Sequence, residues 1–344
     1  MPIITKLKEA FPQIHWQEKA DLASHTFMRV GGPAEVLWVA DDLDLMVQVI
    51  RFARRENIPL LVIGGASNLI VRDGGLEGLV IINHCLGGDH FPTISQVQEA
   101  LDLDETYFRH VPPNAQFILG QSGVKTALLV GQAVQLELGG LEPFVGVPGS
   151  LGGAIYNNSH YQHELIGDWV VAVEVLDEQN HRLWLHQQEC AFGYDASRFQ
   201  HTQEIILQVL LFALPEDPNV IQERILESTI KRSGTQPLGT SNSGCIFKNV
   251  QLTAKQADRF DGKTVLSAGW LIDQAGLKGA RVGDAVVSTI HANFIVNEGK
   301  ATCQDIQDLI TLIQSTVKQK FDIDLESEVF FLGKEDNEYA HLLR

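Results

Sequence analysis

With 344 residues, 44% of them hydrophobic and 20% charged, the chain is long enough for two or more domains with sizeable cores. Its formal net charge of −17 argues against a nucleic-acid partner, because phosphate-backbone binding needs clustered Lys and Arg. That charge still allows an anionic small ligand held by backbone N–H groups and a few arginines.

Lys6, Lys8 and Glu9 leave no apolar core of signal-peptide length at the N-terminus. The longest apolar run, around residues 205–214, suits a buried strand and not a membrane span. Cys85, Cys190, Cys245 and Cys303 are scattered without C-x-x-C spacing, so neither a zinc site nor a disulfide framework is expected. No histidine pair has metal-ligand spacing, and no metal is expected. The expectation is a cytoplasmic protein with free thiols, a monomer or weak homo-oligomer.

Taken in order, residues 36–39 read as a strand, and Asp41 or Asp42 can cap a helix. Met46, Val49, Ile50 and Ala53 recur at helical spacing up to Pro59. A strand at 60–63 and an apolar stretch at 79–82 complete an α+β start. Residues 85–114, with three acids at Asp102, Asp104 and Glu105 and two prolines at Pro112 and Pro113 among them, read as a surface insertion. Residues 124–136 read as a helix, and 170–176 with 182–185 as a hairpin around the turn 177–180. A strong strand at 205–213 precedes Pro215, where the chain breaks. A helix follows over 219–232, with Asp217 as cap and Pro218 in its first turn. We place the domain boundary here, giving 1–216, divided near 85 into two α+β subdomains, and 217–344. The second part has short strands at 286–290 and 293–296. It continues with a long helix from about Thr302 whose Ile306, Leu309, Ile310, Ile313 and Val317 share one face, and a closing strand at 325–332.

Two glycine-rich stretches carry the chemistry. In the first, an apolar run ends in Gly64, Gly65, Ala66, Ser67 and Asn68, followed by Leu69. Glycine lets the backbone approach a ligand closely, successive N–H groups form a concavity for anions, and Ser67 and Asn68 add side-chain donors. Alone, the stretch is equally well a tight connection between strands. The second stretch runs from Gly146 through Pro148, Gly149, Ser150, Gly152 and Gly153 to Ile155. Neither is a G-x-G-x-x-G fingerprint opening a helix, and the chain contains no G-x-x-x-x-G-K-[ST]. Two such loops suggest one long, phosphate-bearing cofactor gripped from two sides.

Several further motifs extend the pattern. They are Arg29-Val-Gly-Gly-Pro-Ala34, Phe192-Gly-Tyr194, Gly244-Cys-Ile-Phe-Lys-Asn249, Ala268-Gly-Trp-Leu-Ile-Asp273, Gly276-Leu-Lys-Gly279, His291-Ala-Asn-Phe294 and Leu325-Glu-Ser-Glu-Val329. Together with the two loops, in this order and spacing, they resemble the UDP-N-acetylenolpyruvoylglucosamine reductase (MurB) family, over roughly residues 20 to 334. The short gap from Tyr194 to Cys245 resembles the branch of the family that lacks an extra substrate-covering loop.

The resemblance implies a PCMH-type (vanillyl-alcohol-oxidase-like) FAD-binding region, its two loops holding non-covalent FAD, followed by a lobe that binds a UDP-sugar. It also implies a two-stage reaction. NADPH reduces the flavin, and hydride then passes to the enolpyruvyl double bond, leaving a carbanion that must be stabilised and protonated.

For site residues, the resemblance implies that Cys245, where the family carries serine, is the proton donor; a small buried cysteine is the alternative. Glu328 is implied to stabilise the enolate, with Glu326 on the other face of the strand as runner-up. Tyr194, Lys248 and Asn249 are expected at the substrate. Arg232 and Gln236 are expected near the diphosphate, Arg232 being equally well a solvated cation, and His291 is either a ligand or a packed histidine. Where the family carries arginine after Tyr194, this chain carries Asp195, a charge reversal worth several kcal/mol at a site that gathers negative charge. Arg198, in the same turn, is the candidate replacement.

Overall fold

The computed structural model describes residues 1–333. The end of the expected second domain, residues 334–344, lies outside the described residues. Three layered units follow one another along the chain.

The first is a four-stranded sheet in the order Gln17–Asp21, Pro33–Ala40, Leu76–Asn83, Leu60–Ile63. The first pair is antiparallel and the other two are parallel. Parallel neighbours need a crossover, and the helix Leu43–Arg55 provides one. Asp42 caps it by accepting from Leu45 N at 2.8 Å, and Met46, Val49, Ile50 and Ala53 are fully buried.

The second unit is an antiparallel sheet in the order Arg182–His186, Val170–Leu176, Ile205–Pro215, Gln116–Gln121, Gly88–Phe91. Every residue of Val170–Leu176 is buried. Its one acid, Glu174, is held by Arg182 through paired hydrogen bonds of 2.8 and 2.9 Å, the arrangement a buried carboxylate requires.

Residues 85–114 are not the surface insertion the sequence suggested. Gly88–Phe91 is the edge strand, the helix Ile94–Leu101 is capped by Thr93, and Val97, Leu103 and Phe108 are buried against Phe117, Val171 and Leu210. Three isolated apolar anchors between polar turns have no period to detect; only the sheet beneath them makes them core.

In the third unit the helix Pro218–Thr235, capped by Asp217, leads into a sheet ordered Ser241–Cys245, Phe294–Asn297, Ala285–Val287, Arg281–Val282. The helix Cys303–Phe321 covers it, burying Ile306, Leu309, Ile310, Ile313 and Val317. The expected closing strand over 325–332 is shorter and pairs elsewhere. Only Phe330–Leu332 is a strand, and it runs parallel to Leu69–Val71 of the first unit. Met28, Val30 and Ile70 meanwhile lie in the third unit's core, and Asn297 donates to Met28 O at 3.0 Å. First and third units therefore interlock, and their junction carries the site.

Candidate active site

The first glycine-rich loop turns sharply after Leu60–Ile63, with Ala66 in the left-handed region at φ +48°. The second, at Gly149, has φ +101°. A Cβ on Gly65 would lie 2.4 Å from Gly149 Cα, and one on Gly64 would lie 1.9 Å from Ser150 Oγ. The two loops thus touch backbone to backbone, and nothing larger than glycine fits. Ser67 Oγ ties them by donating to Pro148 O at 3.1 Å, and Ser150 caps the short helix Leu151–Tyr156.

Beside the joined loops runs a cavity walled by Gly64, Gly65, Ala66, Ser67, Asn68 and Leu69 on one side and Ser150, Gly152 and Gly153 on the other. Its floor is Leu60–Ile63 of the first sheet and Ile205 and Ile206 of the second. Glycine backbone, two hydroxyls and an amide beside apolar walls suit a molecule with a diphosphate and a flat ring, so this cavity fits FAD. Gly146, Pro148, Gly149 and Ile155 do not line it. Ile155 is fully buried in the second unit's core, and Gly146, Pro148 and Gly149 shape the loop from behind.

A second cavity adjoins the first, sharing Asn68, Asn157 and Phe330. It is bordered by Asp195, Gln200 and His201 from one turn and by Lys248, Glu326, Ser327 and Glu328. Asn157 Oδ1 is buried there without a partner. Buried polar atoms are ordinarily satisfied, so an orphan at the meeting of two cavities is a place for ligand.

Cys245 ends its strand opposite Phe294, past an irregularity at Gly244, whose φ of +77° turns the chain. The next residues pair with the Glu328 segment: Lys248 N donates to Glu326 O at 3.0 Å and Glu328 N to Ile246 O at 2.8 Å. Cys245 and Glu328 are thereby brought together from opposite ends of the third unit. Burial, then the Glu328 charge, pushes the Cys245 thiol up to about 12, so it stays protonated at neutral pH. An ordinary thiol, near 8.5, would have been the readier acid; the fold keeps the proton in place instead.

Burial, then the charge of Asp195, raises the Glu328 carboxyl to about 8, with Lys248 partly offsetting it. Glu326 is exposed and paired to Lys248 at 2.5 Å. Tyr194 is half exposed, yet its partial burial, then the charges of Asp195 and Glu328, push the phenol up to about 12; Asn249 hydrogen-bonds to it.

Other expected site residues stand elsewhere. Arg198 grips Glu204 through Nε and Nη2 at 3.0 and 2.9 Å and donates to Glu189 O, so it does not replace the missing arginine. Arg232 is no solvated cation. It is 7% exposed, donates to Gly146 O and Pro143 O, and its guanidinium lies 4.0 Å from the Tyr161 ring, bracing the second loop. Gln236 follows the end of that helix, its N–H donating to Arg232 O, and lines neither cavity. His291 is packed in a turn, accepting from Asn293 N at 3.2 Å and lying against Phe294.

Sequence reasoning missed two residues. Asn293 accepts from Phe247 N at 3.0 Å, donates to Phe247 O at 2.8 Å and hydrogen-bonds to Cys245, fixing that loop. It lies inside the quoted His291–Phe294 motif, which was the available signal. His160 lies 3.0 Å from Asp195 and had no signal of its own.

Two joined cavities, one suited to FAD and one lined by a high-affinity carboxyl, Glu328, that a protonated thiol adjoins, define a flavin-dependent oxidoreductase with a capping substrate lobe. Residues 34–185 match the FAD binding domain family, and residues 236–332 match the C-terminal domain of UDP-N-acetylenolpyruvoylglucosamine reductase. The chain is 36% identical over 315 residues to the UDP-N-acetylenolpyruvoylglucosamine reductase of Syntrophus aciditrophicus, covering 91% of both. It is 34% identical over 314 residues to that of Clostridium tetani, again covering 91% of each. The crystal structure of the Thermus caldophilus enzyme (MurB) superposes with a TM-score of 0.69 at 29% identity, over 93% of this chain and 99% of that one. The chain belongs to the UDP-N-acetylenolpyruvoylglucosamine reductase (MurB) family of FAD-dependent oxidoreductases.

Proposed function

We propose that this protein reduces UDP-N-acetylglucosamine enolpyruvate to UDP-N-acetylmuramate for peptidoglycan, in the cytoplasm, with NADPH as electron source. Residues 1–216 hold the flavin and the lobe from 217 binds the UDP-sugar. FAD held in the first cavity would supply, once reduced, the hydride for the enolpyruvyl double bond. The protein's own residues manage the charge and proton that follow.

The observation that carries the reading is the Cys245–Glu328 pair beside the flavin-type cavity. Cys245, protonated and anchored by Asn293, delivers a proton to the carbon left electron-rich by hydride addition. Glu328, protonated below about pH 8, donates a hydrogen bond to the oxygen on which the enolate charge collects. Lys248, paired with Glu326, borders the same cavity, Tyr194 and its hydrogen-bond partner Asn249 stand outside its lining and approach the substrate from behind Asp195, and Asn157 offers its free carbonyl oxygen.

The test is anaerobic. NADPH should bleach the bound flavin, and the enolpyruvyl sugar should then restore its colour. Asp195 beside Glu328 favours a second reading, a flavin- and UDP-sugar-binding protein without turnover. In that case the sugar binds to the bleached protein and no colour returns. Bleaching reversed only by air would instead indicate an oxidase.

A further inference from the structure

The reducing cavity holds a charge that the reaction does not require. Asp195 sits at the tip of the tight turn closed by Gly193 N donating to Ala196 O at 2.9 Å, with its own φ at +51°. Its side chain is 8% exposed, and its Oδ2 is buried without a hydrogen-bond partner. It stands close enough to Glu328 to raise that group's proton affinity. An anionic substrate entering here meets a second carboxylate, an arrangement that costs affinity unless something cancels it.

The basic side chains nearby are, apart from one histidine, committed elsewhere. Lys248 is paired with Glu326, Arg198 with Glu204, and Arg72 donates to Gln307 while lying over the Phe331 ring. His160 alone of these faces Asp195. Its Nδ1 lies 3.0 Å from Asp195 Oδ1, in ion-pair range although without hydrogen-bond alignment, and its ring stacks 4.7 Å from that of Tyr194. One side chain thus touches both the acid, which borders the cavity, and the ring of Tyr194 next to it.

We propose that His160 is the charge partner of Asp195 beside the reducing cavity: in its imidazolium form it cancels Asp195 and lets a carboxylate-bearing substrate settle beside Glu328. His160 is a positioning residue that acts through Asp195. The inference rests on the reductase reading only in taking the enolpyruvyl sugar as ligand.

The experiment compares two ligands on flavin-loaded protein: the enolpyruvyl sugar, which carries the carboxylate, and UDP-N-acetylglucosamine, which does not. His160→Gln should weaken binding of the enolpyruvyl sugar at least about tenfold, in the range of coupling between contacting charges. It should leave UDP-N-acetylglucosamine binding and the rate of flavin bleaching by NADPH within about twofold. Adding Asp195→Asn should recover the lost affinity, because it removes the charge left uncancelled. A merely structural ion pair would weaken both ligands together. Equal losses for the two sugars, no loss at all, or no recovery in the double variant would overturn the proposal. Should His160→Gln lose its flavin, His160→Lys supplies a fixed cation, and a tenfold loss of enolpyruvyl-sugar affinity in it would equally overturn the proposal. The affinity pattern without wild-type turnover would remove the reductase reading and still support the pair.

Discussion

Replacing Glu328 with glutamine removes an acid that the native state holds in its protonated form. Burial and Asp195 raise it from 4.5 to about 8. The native state therefore binds this proton more tightly than the unfolded chain does. Between these two pH values the native state carries more protons, so its stability is fully present below pH 4.5 and falls as pH rises through about 8. At about 1.4 kcal/mol per factor of ten in proton affinity, the loss amounts to up to about 5 kcal/mol. Relaxation and water entry in the cavity reduce that figure. Glu328→Gln has no such proton to lose. Urea unfolding of both proteins at several pH values isolates the effect, because contributions common to both cancel in the difference. Relative to wild type, the variant should gain several kcal/mol between pH 5 and pH 9. A difference that stays flat across that range would refute the placement of Glu328 as a buried neutral acid. The same protonation makes wild-type recolouring of the flavin by the enolpyruvyl sugar slow above about pH 8, where the carboxyl ionises.

Cys245→Ala should leave bleaching by NADPH intact and slow recolouring by about 10²–10⁴, the usual worth of a positioned general acid, whereas Cys245→Ser retains most of the rate; stopped-flow absorbance reads both. Gly65→Ala places a methyl 2.4 Å from Gly149 Cα and should weaken FAD retention by about 1–3 kcal/mol, read as flavin released on dilution. Arg198→Ala leaves Glu204, 9% exposed, without its cation and should cost roughly 2 kcal/mol of stability, less than a fully buried pair because Arg198 is itself 32% exposed. Recolouring per flavin-loaded molecule should stay within about threefold; a much larger loss would return Arg198 to the active site.

Local pattern carried much of this protein. The helices Leu43–Arg55 and Cys303–Phe321 were legible from apolar spacing and their caps, and Val170–Leu176 with Arg182–His186 from the hairpin between them. The loops at Gly64 and Gly149 were legible because glycine is one of few residues that permit such turns and close approaches. Those signals lie within a few residues of one another, where sequence and conformation are coupled directly.

What spans the chain was not legible. The pairing of Phe330–Leu332 with Leu69–Val71 joins segments from opposite ends, and no local period announces it. Arg198 looked available for the substrate until the fold set Glu204 beside it, and Arg232 until the second loop offered its carbonyls. His160 and Asp195 are unremarkable alone and become a pair only because a turn and a short strand meet. Sequence by itself determined most of the elements, the glycine loops and most of the reactive groups. The tertiary structure decided which of them hold a proton and which charges are cancelled, because those energies depend on burial and on distances of a few ångströms that only the folded chain sets.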